Sequence, residues 1–305
     1  NFNNYKISKI HDVFDSACRL AEQRGIRVTG SELVGLIPLE AILMAGRHYL
    51  EKQKCTTGVP ENDIVECAVQ SLGLNDVSEF VSDEKIIDHA INKSKRPIMD
   101  QSGNEFIKEL STNSPAPGGG SVSAFAGAMG ASLASMVAAL THEKKEFLTV
   151  KEEMNSIGIE AQRLKDRLAF LVDEDTKAFN RVMKANRLSD GTDEERNIKE
   201  HAIEESNKYA TQIPMETAEL SFQVMQLSEK LVEHGNPNSV SDTGVSAEVC
   251  LAAIRGACMN VKINLPGIND QNYVSDMSSK VSKLIKNAEI LQKKVFKKTM
   301  QTIEK

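Results

Sequence analysis

Ser114-Pro115-Ala116-Pro117-Gly118-Gly119-Gly120-Ser121 runs straight into residues 122–140, a stretch made almost wholly of Ala, Gly, Ser, Met and small apolar side chains. Two prolines fix an extended approach, and three glycines then free the backbone from side-chain sterics. A glycine-rich turn that opens a helix leaves several amide N–H groups unpaired at the positive end of the helix dipole, where a ligand can meet them. The same residues also suit a linker ahead of a buried helix, with Ser121 as its N-cap. The spacing matches neither a phosphate loop nor a dinucleotide signature. The pattern on either side weighs on that choice.

From residue 104 onward the periodicity is helical throughout. Helices are expected at 105–111, over 122–140, at 149–186, at 192–233 with a bend at Pro214, at 241–265 ended by Pro266-Gly267, and at 270–303. Helices of this length joined by brief loops imply an all-α bundle. Residues 1–75 mix signals. Over 7–23, Ile7, Ile10, Val13, Phe14, Ala17 and Ala21 share one helical stripe, whereas 26–36 carries β-branched residues around Thr29-Gly30-Ser31 and suits a strand with a turn or bulge. Pro38 starts a helix to about residue 52, and another covers 61–72. Residues 76–103 are polar and read as a linker, apart from a short helical piece near 84–91. The expected fold is therefore mainly α: a small α/β portion (1–75), a linker (76–103) and a helical bundle (104–305).

A chain of 305 residues makes one large or two ordinary domains and has ample length for a buried core. Its net charge of −6, with no basic stripe interleaved with aromatics, argues against nucleic acid. No apolar run reads as long enough to span a bilayer; 124–140 comes nearest, so no membrane partner is expected. Cys18, Cys55, Cys67, Cys250 and Cys258 form no Cys-x-x-Cys pair. With no secretory signal, they read as reduced thiols of a cytoplasmic protein. The six histidines lack ligand spacing, so no metal site is expected. Position 1 is Asn rather than Met and lies close to a helix, which suggests that the chain begins inside a larger protein.

The helix at 149–186 has a seam spaced alternately by four and three residues: Val150, Met154, Ile157, Ala161, Leu164, Leu168, Leu171, Asp175, Ala178, Val182. Such a seam faces neighbouring helices, so Asp175 points inward while Asp173 and Glu174 sit off it. An ionised carboxylate there is costly unless it is paired or used, and both outcomes stand open. In 241–265, Glu248, Arg255 and Lys262 recur every seven residues as one wet stripe. Roughly opposite lie Asp242, Ser246, Asn260 and Asn264, and buried amides such as those of the two asparagines need partners in the protein or in a ligand. For Asn264, interhelical hydrogen bonding is the favoured reading.

Three segments together resemble formimidoyltetrahydrofolate cyclodeaminase. They are the Ser114–Ser121 stretch with its small-residue helix, Leu171-Val172-Asp173-Glu174-Asp175-Thr176-Lys177-Ala178-Phe179, and Asn260-Val261-Lys262-Ile263-Asn264-Leu265. Separately, Arg27-Val28-Thr29-Gly30-Ser31-Glu32-Leu33-Val34-Gly35-Leu36-Ile37-Pro38 resembles the closing portion of a glutamate formimidoyltransferase domain, which precedes the cyclodeaminase in the bifunctional family. The resemblance implies an all-α, oligomeric enzyme that converts 5-formimidoyltetrahydrofolate to 5,10-methenyltetrahydrofolate and ammonia. Its catalytic aspartate falls on Asp175, the residue the seam had already singled out. It implies a tetrahydrofolate derivative as substrate and no permanently bound cofactor. Gly118, Gly119, Gly120 and Ser121 are then candidates to hold the pterin carbonyl or a tail carboxylate, with Asp242, Asn260 and Asn264 as weaker pterin contacts. Lys283, Lys286, Lys293, Lys294, Lys297 and Lys298 offer charge for a polyglutamate tail, although a solvated helix face is the favoured reading of such a run. None of His11, His48 or His89 matches the transferase's catalytic histidine motif, so no transferase activity is expected. A methenyltetrahydrofolate cyclohydrolase of the same fold and a non-catalytic helical oligomerisation module are the rival readings.

Overall fold

Proline or a short polar side chain stands where several of the helices begin. In the computed structural model, which describes residues 4–92 and 97–305, the chain divides into two units, Asn1–Arg96 and Pro97–Lys305. The first holds α1 (Ile10–Glu22), α2 (Leu39–Lys52), α3 (Glu61–Leu72) and the short α4 (Ser82–Lys85) and α5 (Ile87–Asn92). Pro38 and Pro60 are the N-cap residues of α2 and α3, just ahead of the first turn, where a missing N–H goes unmissed. Ile42, Ala45, Ala68 and Ile86 are fully buried together in its core. Residues around Ile86, expected as connector, thus belong to this unit. Asp15 ties α1 to α2, accepting hydrogen bonds from His48 (3.1 Å), Tyr49 (3.2 Å) and Lys52 (2.9 Å). His11 is buried and stacks on His48, with ring centroids 4.3 Å apart.

The strand expected over 26–36 does not form. That stretch is neither helix nor strand, and the one β-bridge among the described residues is isolated, parallel, between Ile37 and Ile86. Val34 and Ile26 are exposed rather than turned into a sheet face. β-Branched residues favour an extended backbone, but a strand needs a paired neighbour along its length, and among the described residues this stretch has one backbone bond to a distant segment, from the Ser31 N–H to the Gly73 carbonyl (3.2 Å).

The second unit holds α6 (Gly103–Leu110), α7 (Gly119–His142), α8 (Lys151–Asn186), α9 (Asp193–His234), α10 (Val240–Asn264) and α11 (Gln271–Ile303). Ser102 with Glu105 and Thr192 with Glu195 form capping boxes that start α6 and α9, and Asp270 caps α11. Short loops make α7 to α11 alternate up and down. Opposed pairs fix the register: Ser135 with Gln162, Arg167 with Glu216, Ser228 with Ser246, and Arg255 with Glu289. Leu164, Leu168 and Leu171 of the α8 seam are fully buried, at about 1.5–3 kcal/mol of transfer free energy each. Gly130 lets α7 and α10 touch, since a side chain there would collide with Cys250 and crowd the Ser246 carbonyl. α9 runs unbroken through the buried Pro214.

The small-residue helix is longer than the sequence suggested, because the glycines join its first turn and it continues to His142. It and residues Pro237–Gly267 are long and apolar enough, by length and composition alone, to cross a membrane, a correction to the sequence reading. In both, 56% of the most apolar window is buried inside this protein.

Candidate active site

Gly118 is the N-cap of α7, entered through a cis Ala116–Pro117 peptide bond. Ser121 is not the cap. It is the third helical residue, fully buried, and its hydroxyl has two acceptors on α8 within reach, the Val172 carbonyl (3.0 Å) and the Asp175 carboxylate (3.1 Å). The N–H groups of Gly119 and Gly120, in the first turn, find no acceptor among the described residues.

Asp175 arrives on the α8 seam, one helical turn beyond Leu171, and its carboxylate presses against the α-carbon of Gly120. A β-carbon at Gly120 would overlap all three carboxylate atoms, so only glycine admits this approach. Burial pushes the Asp175 carboxyl above the usual carboxylate range, while the Ser121 hydroxyl, and less strongly its backbone N–H, oppose the rise. Among the described residues no cation pairs with Asp175. Its neighbours differ. Asp173 accepts from the Ile98 N–H (2.7 Å), and Glu174 accepts from the Tyr209 hydroxyl (2.6 Å) and Lys177 (2.7 Å). Of three consecutive acids, only Asp175 meets the glycine turn.

Asn260 approaches the same turn from α10. A β-carbon at Gly119 would lie 3.5 Å from its Nδ2, which also donates to the Gly256 carbonyl at 2.9 Å. Asp175 and Asn260 therefore flank the glycines from two helices. Asn264 instead donates to the Ala210 carbonyl of α9 at 2.8 Å. That carbonyl lies four residues before Pro214, whose ring has no N–H to give it, so Asn264 supplies the missing donor. A proline in mid-helix signals such a need in advance; which residue answers it only the packing reveals.

Asp242 is not brought to this place. It lies in the first turn of α10, 18 residues before Asn260, which is about 27 Å along the axis at 1.5 Å per residue. Antiparallel packing carries it to the far end of the bundle, and a carboxylate at a helix N-terminus is favoured by the dipole without any ligand. The later lysines of α11 are remote for the same reason: Lys294 pairs with Glu229 (2.7 Å) in the distal part of α9. At the near end, Lys262, Leu265, Pro266, Ile268 and Val274 line a groove of about 390 Å³ that does not include Asp175. No group of three His, Cys, Asp or Glu side chains converges among the described residues.

Comparison with known proteins bears on both units. The family model described as "Formiminotransferase-cyclodeaminase" matches residues 102–283, and one described as "Formiminotransferase domain" matches residues 1–92. A formimidoyltransferase-cyclodeaminase of Mus musculus is 32% identical over 94% of this chain and 53% of its own length, so the chain spans about half the length of that relative. A methenyltetrahydrofolate cyclohydrolase of Methylorubrum extorquens is 33% identical over 64% of this chain and 95% of itself. The crystal structure of a formiminotetrahydrofolate cyclodeaminase from Thermotoga maritima superposes with a TM-score of 0.60 at 30% identity, covering 67% of this chain and 98% of that one.

Proposed function

The chain belongs to the formiminotransferase-cyclodeaminase family, and we propose that its second unit is an ammonia-lyase. In this reading it closes 5-formimidoyltetrahydrofolate to 5,10-methenyltetrahydrofolate with release of ammonia, a step of histidine degradation and one-carbon folate metabolism. The observation that carries it is Asp175: a half-buried carboxylate with no cation beside it among the described residues, set against a helix N-terminus whose first N–H groups meet no acceptor there.

The folate N10 attacks the formimidoyl carbon on N5 and loses its proton; the former imino nitrogen then departs as ammonia. A protonated formimidoyl group is the cation that Asp175 lacks. Asp175 orients it, accepts the N10 proton and returns a proton to the departing nitrogen. General acid–base help of this kind is worth roughly 10²–10⁴ in rate. Burial raises the carboxyl and the amidinium lowers it, which suits a group that must both take and give a proton. Ring closure also rewards a held near-attack geometry. Gly118, Gly119 and Gly120 offer their turn to the pterin carbonyl or a tail carboxylate, with Asn260 beside them. A polyglutamate tail at this end would meet Lys262 rather than the distal lysines of α11. The folate is substrate, and the chemistry asks for no resident cofactor.

Residues 1–92 form, in this reading, the closing part of a transferase domain, in which the stretch 26–36 is strand-forming sequence. The absence of a matching catalytic histidine motif makes transferase activity unexpected for this chain by itself. The five free cysteines suit a cytoplasmic setting.

Self-association belongs to the same proposal. Val122, Met129 and Met136 of α7, spaced by sevens, and Val245 and Met259 of α10, fourteen residues apart, are all exposed. The antiparallel register places the two rows side by side, and α7 carries no charged side chain from Gly119 to Leu140. A second copy of this chain is the occupant that matches such an uncharged two-helix face.

The cyclohydrolase is the second reading, favoured by the Methylorubrum extorquens relative. Purified chain incubated with each folate, followed by methenyl absorbance and ammonia assay, separates the readings. Ammonia released from the formimidoyl substrate supports the lyase. Turnover of methenyltetrahydrofolate alone selects the cyclohydrolase, and silence on both leaves a helical oligomerisation module.

A further inference from the structure

Ser121 was a candidate ligand contact on sequence grounds, yet its side chain is fully buried and its hydroxyl is engaged by α8. Its hydroxyl has one proton and two acceptors at nearly equal reach, the Val172 carbonyl at 3.0 Å and Asp175 Oδ2 at 3.1 Å. Thr176 Oγ1 stands at 3.5 Å as a further partner. A buried polar atom left without a partner is costly, so the number of arrangements this trio allows matters.

With Asp175 ionised, the Ser121 O–H donates to the carboxylate. With Asp175 protonated, the acid O–H donates to Ser121 Oγ, and the serine proton turns to the Val172 carbonyl. Every donor has an acceptor in both states, and a hydroxyl rotation interconverts them. We propose that Ser121 is a positioning residue that follows the proton on Asp175, keeping the carboxyl in one place whether it is charged or neutral. The inference rests on the reading of Asp175 as the acid–base group, and it explains how one half-buried carboxyl serves both halves of the reaction without swinging away from the substrate.

The test uses the full chain and two readouts. The first is independent of turnover: the titration of the Asp175 carboxyl carbon, followed by NMR in ¹³C-Asp-labelled protein and assigned by its absence in Asp175→Asn. Ser121→Ala removes the donor to the ionised form, and the midpoint is expected to move to higher pH; Ser121→Cys, close in size and a weaker donor, falls between. The second is kinetic. Where wild type releases ammonia, Ser121→Ala is expected to lose roughly tenfold or more in kcat with KM within about twofold, and the acid limb of kcat/KM shifts in the same direction as the midpoint. An unmoved or lowered midpoint in both variants overturns the proposal, as does a raised KM with kcat retained, which marks Ser121 as a substrate contact. A wild type silent on both folates overturns the lyase reading instead, and the NMR midpoint still decides the role of Ser121.

Discussion

The Asp175 carboxylate occupies the space that a side chain on Gly120 would fill. The obstruction is the end of a short side chain rather than backbone, so Gly120→Ala is accommodated by turning Asp175 aside. Alanine in a first helical turn recovers about 0.5–1 kcal/mol of backbone entropy against glycine, which offsets much of the crowding. We expect a thermal midpoint within a few degrees of wild type together with a loss of on the order of 100-fold or more in kcat/KM, read from paired melting and ammonia-release measurements. Retained activity would show that the carboxylate need not stand where it does.

Asp175→Asn keeps the shape and removes the proton acceptor, so turnover should fall by roughly 10²–10⁴. Its stability effect has a definite sign. The folded-state carboxyl lies above the unfolded value near 3.8, so the folded chain holds its proton longer as pH rises. The associated stability is fully present below that unfolded value and is lost as pH rises through the folded one. The amide has no such loss. The variant is expected to melt above wild type at pH 7.5, with the gap closing towards pH 4; a variant less stable at every pH contradicts a carboxyl held above its unfolded value by burial.

Asn264 and Pro214 form a testable pair. Asn264→Ala leaves the Ala210 carbonyl without its interhelical donor and should cost about 1–3 kcal/mol. Pro214→Ala returns an N–H four residues downstream. In that background, Asn264→Ala should cost measurably less, giving a coupling of about 1 kcal/mol in a denaturation double-mutant cycle. Strict additivity would mean that the carbonyl is satisfied by some other route.

Met129→Glu combined with Met136→Glu places two charges on the uncharged α7 face. Both residues are exposed, at 45% and 40%, so the fold of one copy should survive. Light scattering is expected to give wild type a mass that is a multiple of 33.5 kDa and the double variant a smaller one. An unchanged mass with an intact melting curve removes this face as the contact.

Helix spans and the pairing of Asp175 with an apolar seam were readable from residue order. Periodicity, capping residues and proline placement act within a few residues of one another, so the local code is sufficient for them. The strand signal at 26–36 misled because it is a preference for extended backbone, whose fulfilment depends on a neighbour elsewhere. The same limit governs the site. Opposing helices choose their register by fitting Gly120 to Asp175 and Gly130 to Cys250, contacts between residues some 55 and 120 positions apart. That register put Asn260 beside the glycines, sent Asp242 to the opposite end, gave Asn264 to the carbonyl orphaned by Pro214, and turned Ser121 from a cap into the buried partner of an acid. Side-chain direction along one helix is a property of sequence; what stands opposite is a property of packing, because only close contact between separate helices decides which polar groups share a buried space.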